Sequence, residues 1–257
     1  MGMTDSARRI VACLDFNRGR VVKGVHFEGI RDIGNPAELA ARYSESGADE
    51  LAFLDISASG ERRKTAIDEV RKVALRATVP LTVGGGIASV EDAADVLGAG
   101  ASKVSMNTAA VSDPDLIART VEAFGGDKVV LAIDATESLN GRGWEVCING
   151  GRTRTGIDAV EWAARGALLG AGEILLTSIM ADGARSGYDI ALTRAVADAA
   201  GVPVVASGGA GSLEDFVRVL TDGGASAALA ASVLHLGILT IHQIKEHLRE
   251  NGVPTRQ

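Results

Sequence analysis

Short apolar runs alternate along this chain with longer amphipathic stretches. Strand-like runs fall at RIVACLD (9–15), ELAFLDI (50–56), PLTVGG (80–85), KVSMN (103–107), KVVLAID (128–134), EILLTS (173–178), PVVASGG (203–209) and AALAAS (227–232). Between them, PAELAARYSESG (36–47), VEDAADVLGAG (90–100) and LEDFVRVLTDGG (213–224) carry apolar residues at helical spacing. Strands that alternate with helices predict a parallel sheet covered by helices. Eight such units in 257 residues predict one closed (β/α)₈ TIM barrel over 9–253, with a leader at 1–8 and a tail at 254–257. A doubly wound open sheet is the alternative, but no G-x-G-x-x-G follows the first strand.

The pattern also repeats. GADELAFLDIS (47–57) aligns with GAGEILLTSIM (170–180), and PLTVGGGIASVED (80–92) with PVVASGGAGSLED (203–215), both at an offset of 123. GASKVSMNT (100–108) meets GASAALAAS (224–232) at 124. The barrel is therefore expected to consist of two similar half-barrels. Asp15, in the apolar run VACLDF, has its counterpart in Asp134 at an offset of 119, which implies a short insertion early in the second half.

A carboxylate in a buried strand is costly without a partner. At the C-terminal ends of the first and fifth barrel strands, Asp15 and Asp134 would face each other across the mouth, where barrel enzymes carry their chemistry. One could donate a proton and the other accept one; the competing reading is that each caps its own loop. Gly84, Gly85 and Gly86 precede one helix, and Ser207, Gly208 and Gly209 precede another. Such turns let backbone amides approach an anion, although tight-turn geometry alone would also use them. Asn107 and Thr108 after the fourth strand, and Ala231 and Ser232 after the eighth, add polar groups beside each turn. Two such sites on opposite walls imply a long ligand with a phosphate at each end.

The segment RVVKGVHFEG (20–29) has the alternation of a hairpin, from which Lys23 could clamp an anionic ligand or simply be solvated. At the opposite rim, Arg9, Glu50, Lys103 and Glu173 begin the first, second, fourth and sixth strands. Pointing inward they would close the floor with alternating charges; pointing outward they would pair at the surface.

Composition narrows the partners. A net charge of −7 argues against nucleic acid. No apolar run reaches the ~20 residues of a membrane span. The start MGMTDS fits an acylation pattern through Gly2 and Ser6, taken here as an unmodified leader. Two cysteines, Cys13 and Cys147, are too few for a disulfide framework or thiolate metal site, which suits a reduced, cytoplasmic protein. The four histidines lack metal-ligand spacing, so no metal and no cofactor are expected.

ACLD, GRVVKG, ADELAFLDIS, LTVGGGI, KVSMNTAAV, AIDA, GAGEILLTS, SGYD, ASGGAG and LAAS follow one another in order. In these motifs the chain resembles the cyclase subunits of imidazole glycerol phosphate synthase, over about residues 8 to 253. The resemblance implies a barrel enzyme of histidine biosynthesis acting on a bisphosphorylated ribulosyl-formimino aminoimidazole carboxamide ribotide. It further implies that ammonia arrives from a glutaminase subunit docked on the N-terminal face. It assigns Asp15 and Asp134 to acid–base catalysis. It places Lys23, Gly84, Gly85, Asn107, Thr108, Asp182, Gly183, Ser207, Gly208, Gly209 and Ser232 in the substrate and phosphate sites. Arg9, Glu50, Lys103 and Glu173 become an ammonia gate. The chain departs from similar proteins at Met180 and Ala184, where Asp and Thr are usual, and at Phe16 and Leu234; Arg185 keeps a positive charge. The alternatives are the isomerase of the preceding pathway step, also a half-repeated barrel with two Asp residues, and a catalytically silent barrel that regulates a glutaminase.

Overall fold

The computed structural model describes residues 7–25, 28–58 and 65–256. The acylation pattern at Gly2 and Ser6, and part of the hairpin expected over 20–29, lie outside the described residues.

Eight parallel strands close on themselves in the order β1 (Arg9–Asn17), β4 (Glu50–Asp55), β5 (Leu81–Gly84), β6 (Lys103–Met106), β7 (Val129–Glu137), β10 (Glu173–Ser178), β11 (Val204–Ser207) and β12 (Ala227–Ala230). Closure is made by β12 against β1, with Arg9 opposite Ala227 and Ala12 opposite Ala230. Side chains alternate faces along a strand, so each strand feeds two cores. One lies between barrel and helices, where Phe53, Leu131, Ile133, Ile174 and Phe216 are fully buried. Burying each of these contributes about 1.5–3 kcal/mol. The other fills the barrel interior with Val11, Cys13, Ala52, Val130, Leu175, Val205, Ala227 and Leu229.

The two halves also match in an unexpected place. β1 runs on into the antiparallel strands β2 (Arg20–Val25) and β3 (Glu28–Gly34), and β7 runs on into β8 (Trp144–Ile148) and β9 (Thr153–Asp158). The second extension escaped the sequence pattern because β9, TRTGID, is polar and has no buried residue, so it offers no apolar run. Its longer link, 138–143 against 18–19, accounts for the smaller offset between Asp15 and Asp134.

Helix starts are capped where the glycine turns end. Ser89 accepts from the Asp92 amide at 3.1 Å, and Asp92 Oδ2 accepts from the Ala88 amide at 3.1 Å. In the second half, Asp215 Oδ2 accepts from the amides of Gly211 and Ser212 at 2.9 and 2.8 Å. The first helix, Pro36–Glu45, starts at Asn35, whose side chain accepts from Ala37 and Glu38.

The two ends of the described chain are tied to each other and to the last helix. Arg8 N donates to Pro254 O at 2.7 Å, and Lys245, on the helix Ile241–Glu250, donates to Arg256 O at 3.2 Å. Lys245 also pairs with buried Asp49 at 2.7 Å, and Asp49 accepts from the Ile10 amide at 2.7 Å. These polar ties, in which backbone groups meet the side chains of Lys245 and Asp49, leave no trace in a hydrophobicity pattern.

Candidate active site

Every second residue of β1 faces the barrel axis, so Arg9, Val11, Cys13 and Asp15 form a column from floor to mouth. At its top, Asp15 is buried and its Oδ2 accepts from Lys23 Nζ at 3.1 Å, while Oδ1 accepts from Cys13 Sγ at 3.2 Å. Lys23 reaches over from β2 and also donates to Asp182 Oδ1 at 3.1 Å. Burial works against its charge, but Asp15 and Asp182 outweigh that cost and hold the ammonium well above the ordinary lysine range. The carboxylate in VACLDF is therefore paired at the point where a core strand opens onto a cavity.

Asp134, near the end of barrel strand β7, stands across the mouth with a different partner. Asn107 Nδ2 donates to Asp134 Oδ2 at 3.1 Å and to Cys147 O at 3.1 Å. Burial pushes the Asp134 carboxyl up to about 7; the Asn107 hydrogen bond pulls it down, and the negative charges of Asp182 and Asp15 raise it further. Near neutrality this group is poised between acid and carboxylate.

Both carboxylates line one cavity of about 630 Å³ at the C-terminal end of the barrel. Lys23, Gly84, Gly85, Asn107, Thr108, Asp182, Gly183, Ser207, Gly208, Gly209 and Ser232 line it as well, so the structure brings all these sequence-derived residues together. The Asn107 amide group is turned to Asp134, and the Thr108 hydroxyl accepts from the Asn149 amide at 3.0 Å. Gly86 and Ala231, beside the two turns, also face the cavity. Asn107 and Ala231 hold closely similar backbone angles, φ −124° and ψ −83° against φ −125° and ψ −74°. The repeat thus extends to unusual backbone geometry.

The loop after β10 packs onto the second glycine turn. Gly187 N donates to Gly209 O at 2.9 Å, and Tyr188 donates to Leu229 O at 3.0 Å. This leaves Met180 exposed and puts Arg185 in the cavity wall. Sequence reasoning did not single out Cys13, Asp55 or Asp92 among the lining residues. The signal for Cys13 was available: two positions before Asp15 on a strand is the same face.

At the other end, the four rim charges point inward and pair in a closed ring. Arg9 bonds Glu50 and, at 2.5 Å, Glu173; Lys103 bonds Glu173 at 2.7 Å and Glu50 at 3.5 Å. Arg9, Glu50 and Glu173 are buried and Lys103 is partly so. Burial opposes the Arg9 charge, yet the two glutamates raise its pKa further. The surface-pairing alternative does not hold. Among the described residues no cluster of three or more His, Cys, Asp or Glu is arranged to hold a metal ion, and no helix is long and apolar enough to cross a membrane.

The closed barrel agrees with the chain's likeness to known proteins. Residues 9–240 match the model of a family described as histidine biosynthesis protein, and the chain belongs to that family. It is 57% identical to the imidazole glycerol phosphate synthase subunit HisF of Prochlorococcus marinus (strain MIT 9211), over 97% of each chain. Two subunits of the same name from Synechococcus sp. strains CC9311 and CC9605 are each 56% identical, over 97% of this chain and 96% and 99% of their own. Within the family the chain stands with these HisF cyclase subunits, and it is an enzyme. That sets aside the isomerase and the silent barrel.

Proposed function

We propose that the cavity at the barrel mouth closes an imidazole ring, using ammonia and a bisphosphorylated ribulosyl-formimino aminoimidazole carboxamide ribotide. The observation that carries this reading is the placement of Asp15 and Asp134 on opposite walls, between two repeat-related glycine turns. Each turn receives one phosphate, so the reacting centre is suspended between the carboxylates. Arg185 adds positive charge beside the second turn.

The reaction needs proton transfers on both sides of the ligand. Ammonia adds to the ribulosyl ketone, and loss of water gives an imine. Cleavage of the formimino link and ring closure then give imidazole glycerol phosphate and aminoimidazole carboxamide ribotide. Asp134, with its carboxyl raised to about 7, is suited to donate a proton at neutral pH. Asp15, ion-paired with Lys23, is suited to accept one. None of these steps requires a metal or redox cofactor.

Ammonia would enter through the floor. The Arg9–Glu50–Lys103–Glu173 ring lies at the N-terminal ends of the strands, and the interior above it is lined by small and medium apolar side chains. A neutral molecule passes such a lining without being trapped by hydrogen bonds. This favours a glutaminase subunit docked on the N-terminal face, with the ring as gate. Buried free thiols at Cys13 and Cys147 suit a reducing cytoplasm.

Incubation of the purified chain with the bisphosphate substrate and ammonium salt at alkaline pH tests the reading. Loss of substrate absorbance with formation of both products is expected. Turnover of only the unopened-ribose precursor, or binding without turnover, would overturn it.

A further inference from the structure

The two carboxylates occupy repeat-equivalent positions but are held by different donors. At the offset of 119 that relates Asp15 to Asp134, Cys13 corresponds to Ala132. Cys13 belongs to the apolar layer of the barrel interior, and Ala132 packs against the same layer at the cavity wall. A methyl group is enough to fill the second position, so packing alone does not call for sulfur at the first.

The exchange runs the other way on the neighbouring strand. Asn107, which holds Asp134, corresponds at the offset of 124 to Ala231, which has no group to offer Asp15. In the antiparallel extensions, Phe16 pairs with Val21 and Ala135 with Val146. Two residues on from these partners stand Lys23 in the first half and Ile148 in the second. Asp134 thus has an amide where Asp15 has an alanine, and Asp15 has a thiol and an ammonium where the other half has alanine and isoleucine.

We propose that Cys13 is a positioning residue for Asp15: its S–H, on Oδ1, and Lys23, on Oδ2, together fix the plane of the carboxylate and the oxygen lone pairs that face the ligand. This rests on the reading of Asp15 as part of the acid–base pair. Oδ1 and Oδ2 are engaged at 3.2 and 3.1 Å from different strands, so the carboxylate is held at two points. An ionised carboxylate only accepts, so the sulfur must supply the proton. Burial, strengthened by the negative charge of Asp15, keeps the Cys13 thiol protonated well beyond the usual range. Among the described residues, the charged and titratable groups facing Asp15 are Cys13 on its own strand, Lys23 from β2, Asp134 from β7, Asp182 from the loop after β10, and His235 from the helix Ser232–His235. His235 is pushed down to about 4 by burial and stays neutral near pH 7.

The test compares Cys13→Ala, Cys13→Ser and Asp15→Asn in cyclisation at fixed free ammonia across pH. Cys13→Ala, which installs the residue of the other half, should lower kcat about five- to tenfold, the scale of one ordinary hydrogen bond, since a thiol is a weak donor, with KM within about twofold. A hydrogen bond to a carboxylate favours its ionised form, so the acidic limb of the kcat profile should move to higher pH. Cys13→Ser, which restores a donor, should recover most of kcat and return the limb. Should Cys13→Ala fold poorly, Cys13→Val, close to the thiol in shape and without a donor, carries the same expectation. Unchanged kcat and pH profile in the donorless variant, or a serine variant as slow as it, would overturn the proposal. Asp15→Asn separates the two levels: if it abolishes turnover while Cys13→Ala is neutral, only the role of Cys13 falls. If Asp15→Asn keeps turnover, the acid–base reading falls with it.

Discussion

Gly85 and Gly208, 123 residues apart, hold the same left-handed backbone angle, with φ of +93° and +91°. A Cβ on Gly85 would lie 2.2 Å from Asp55 O, and one on Gly208 would lie 2.7 Å from Ser178 O. Those two carbonyls are themselves 123 residues apart. Each turn is pressed against the end of the preceding barrel strand, and only glycine fits. Gly85→Ala and Gly208→Ala should each destabilise the fold by about 1–3 kcal/mol through the backbone angle alone, with the contact adding to it. Urea unfolding measures this, and equal stability to the parent would contradict the tight approach.

Asp134 gives a pH dependence with a definite sign. Its carboxyl is raised from the ordinary range to about 7. Between about pH 4 and 7 the folded protein keeps a proton that the unfolded chain has released, so stability is full at the acid end and falls as pH rises. Asp134→Asn has no such proton to lose. Without ligand it should gain on the parent by roughly 2–4 kcal/mol between pH 4 and 8, while losing turnover. Denaturation curves at several pH values check this; a constant difference would refute the raised carboxyl.

Asp15→Asn keeps the shape of the side chain but removes its basicity. Cyclisation should fall by about 10²–10⁴-fold, the range of one acid–base group, while binding of the bisphosphate stays within a few-fold. Calorimetry beside turnover separates the two effects. Lost binding with intact turnover would take Asp15 out of the chemistry.

Ser207→Asp places a carboxylate in the second glycine turn. It should repel one phosphate and raise KM with little change in kcat, because the contact is equally strong in ground and transition states. A neutral result in steady-state kinetics would move the phosphate elsewhere.

The floor ring predicts a stability cost that depends on which member is lost. Arg9→Ala leaves buried Glu50 and Glu173 sharing a single cation, Lys103. The expected loss is about 3–5 kcal/mol, as for a broken buried ion pair. With added ammonium salt the variant should still turn over, since the mouth of the barrel is untouched.

Much of this architecture was legible in the chain. The short continuous apolar run in RIVACLD and its fellows, interleaved with helical spacing, is imposed by burial on both faces of each strand. The offset of 123 announced the two halves. The donors were harder to read. Nothing in the spacing of Asn107, just past the end of β6, and Asp134, on the neighbouring strand β7, says that the amide of one meets the carboxylate of the other. The role of Lys23 stayed open between clamp and solvated side chain until its two carboxylate partners were seen. The floor charges stayed undecided until their inward direction was visible. Local pattern records which face a residue occupies, and contacts between strands depend on register.

The paired glycine turns have a consequence for how the reaction ends. A molecule held at both tails is retained by two grips at once; once one grip closes, the other acts at high effective concentration, so neither need be strong alone. Ring closure on the proposed route cuts that molecule into two fragments with one phosphate each. On that route, breaking the bond would abolish the avidity, so chemistry and release would be coupled in a single event.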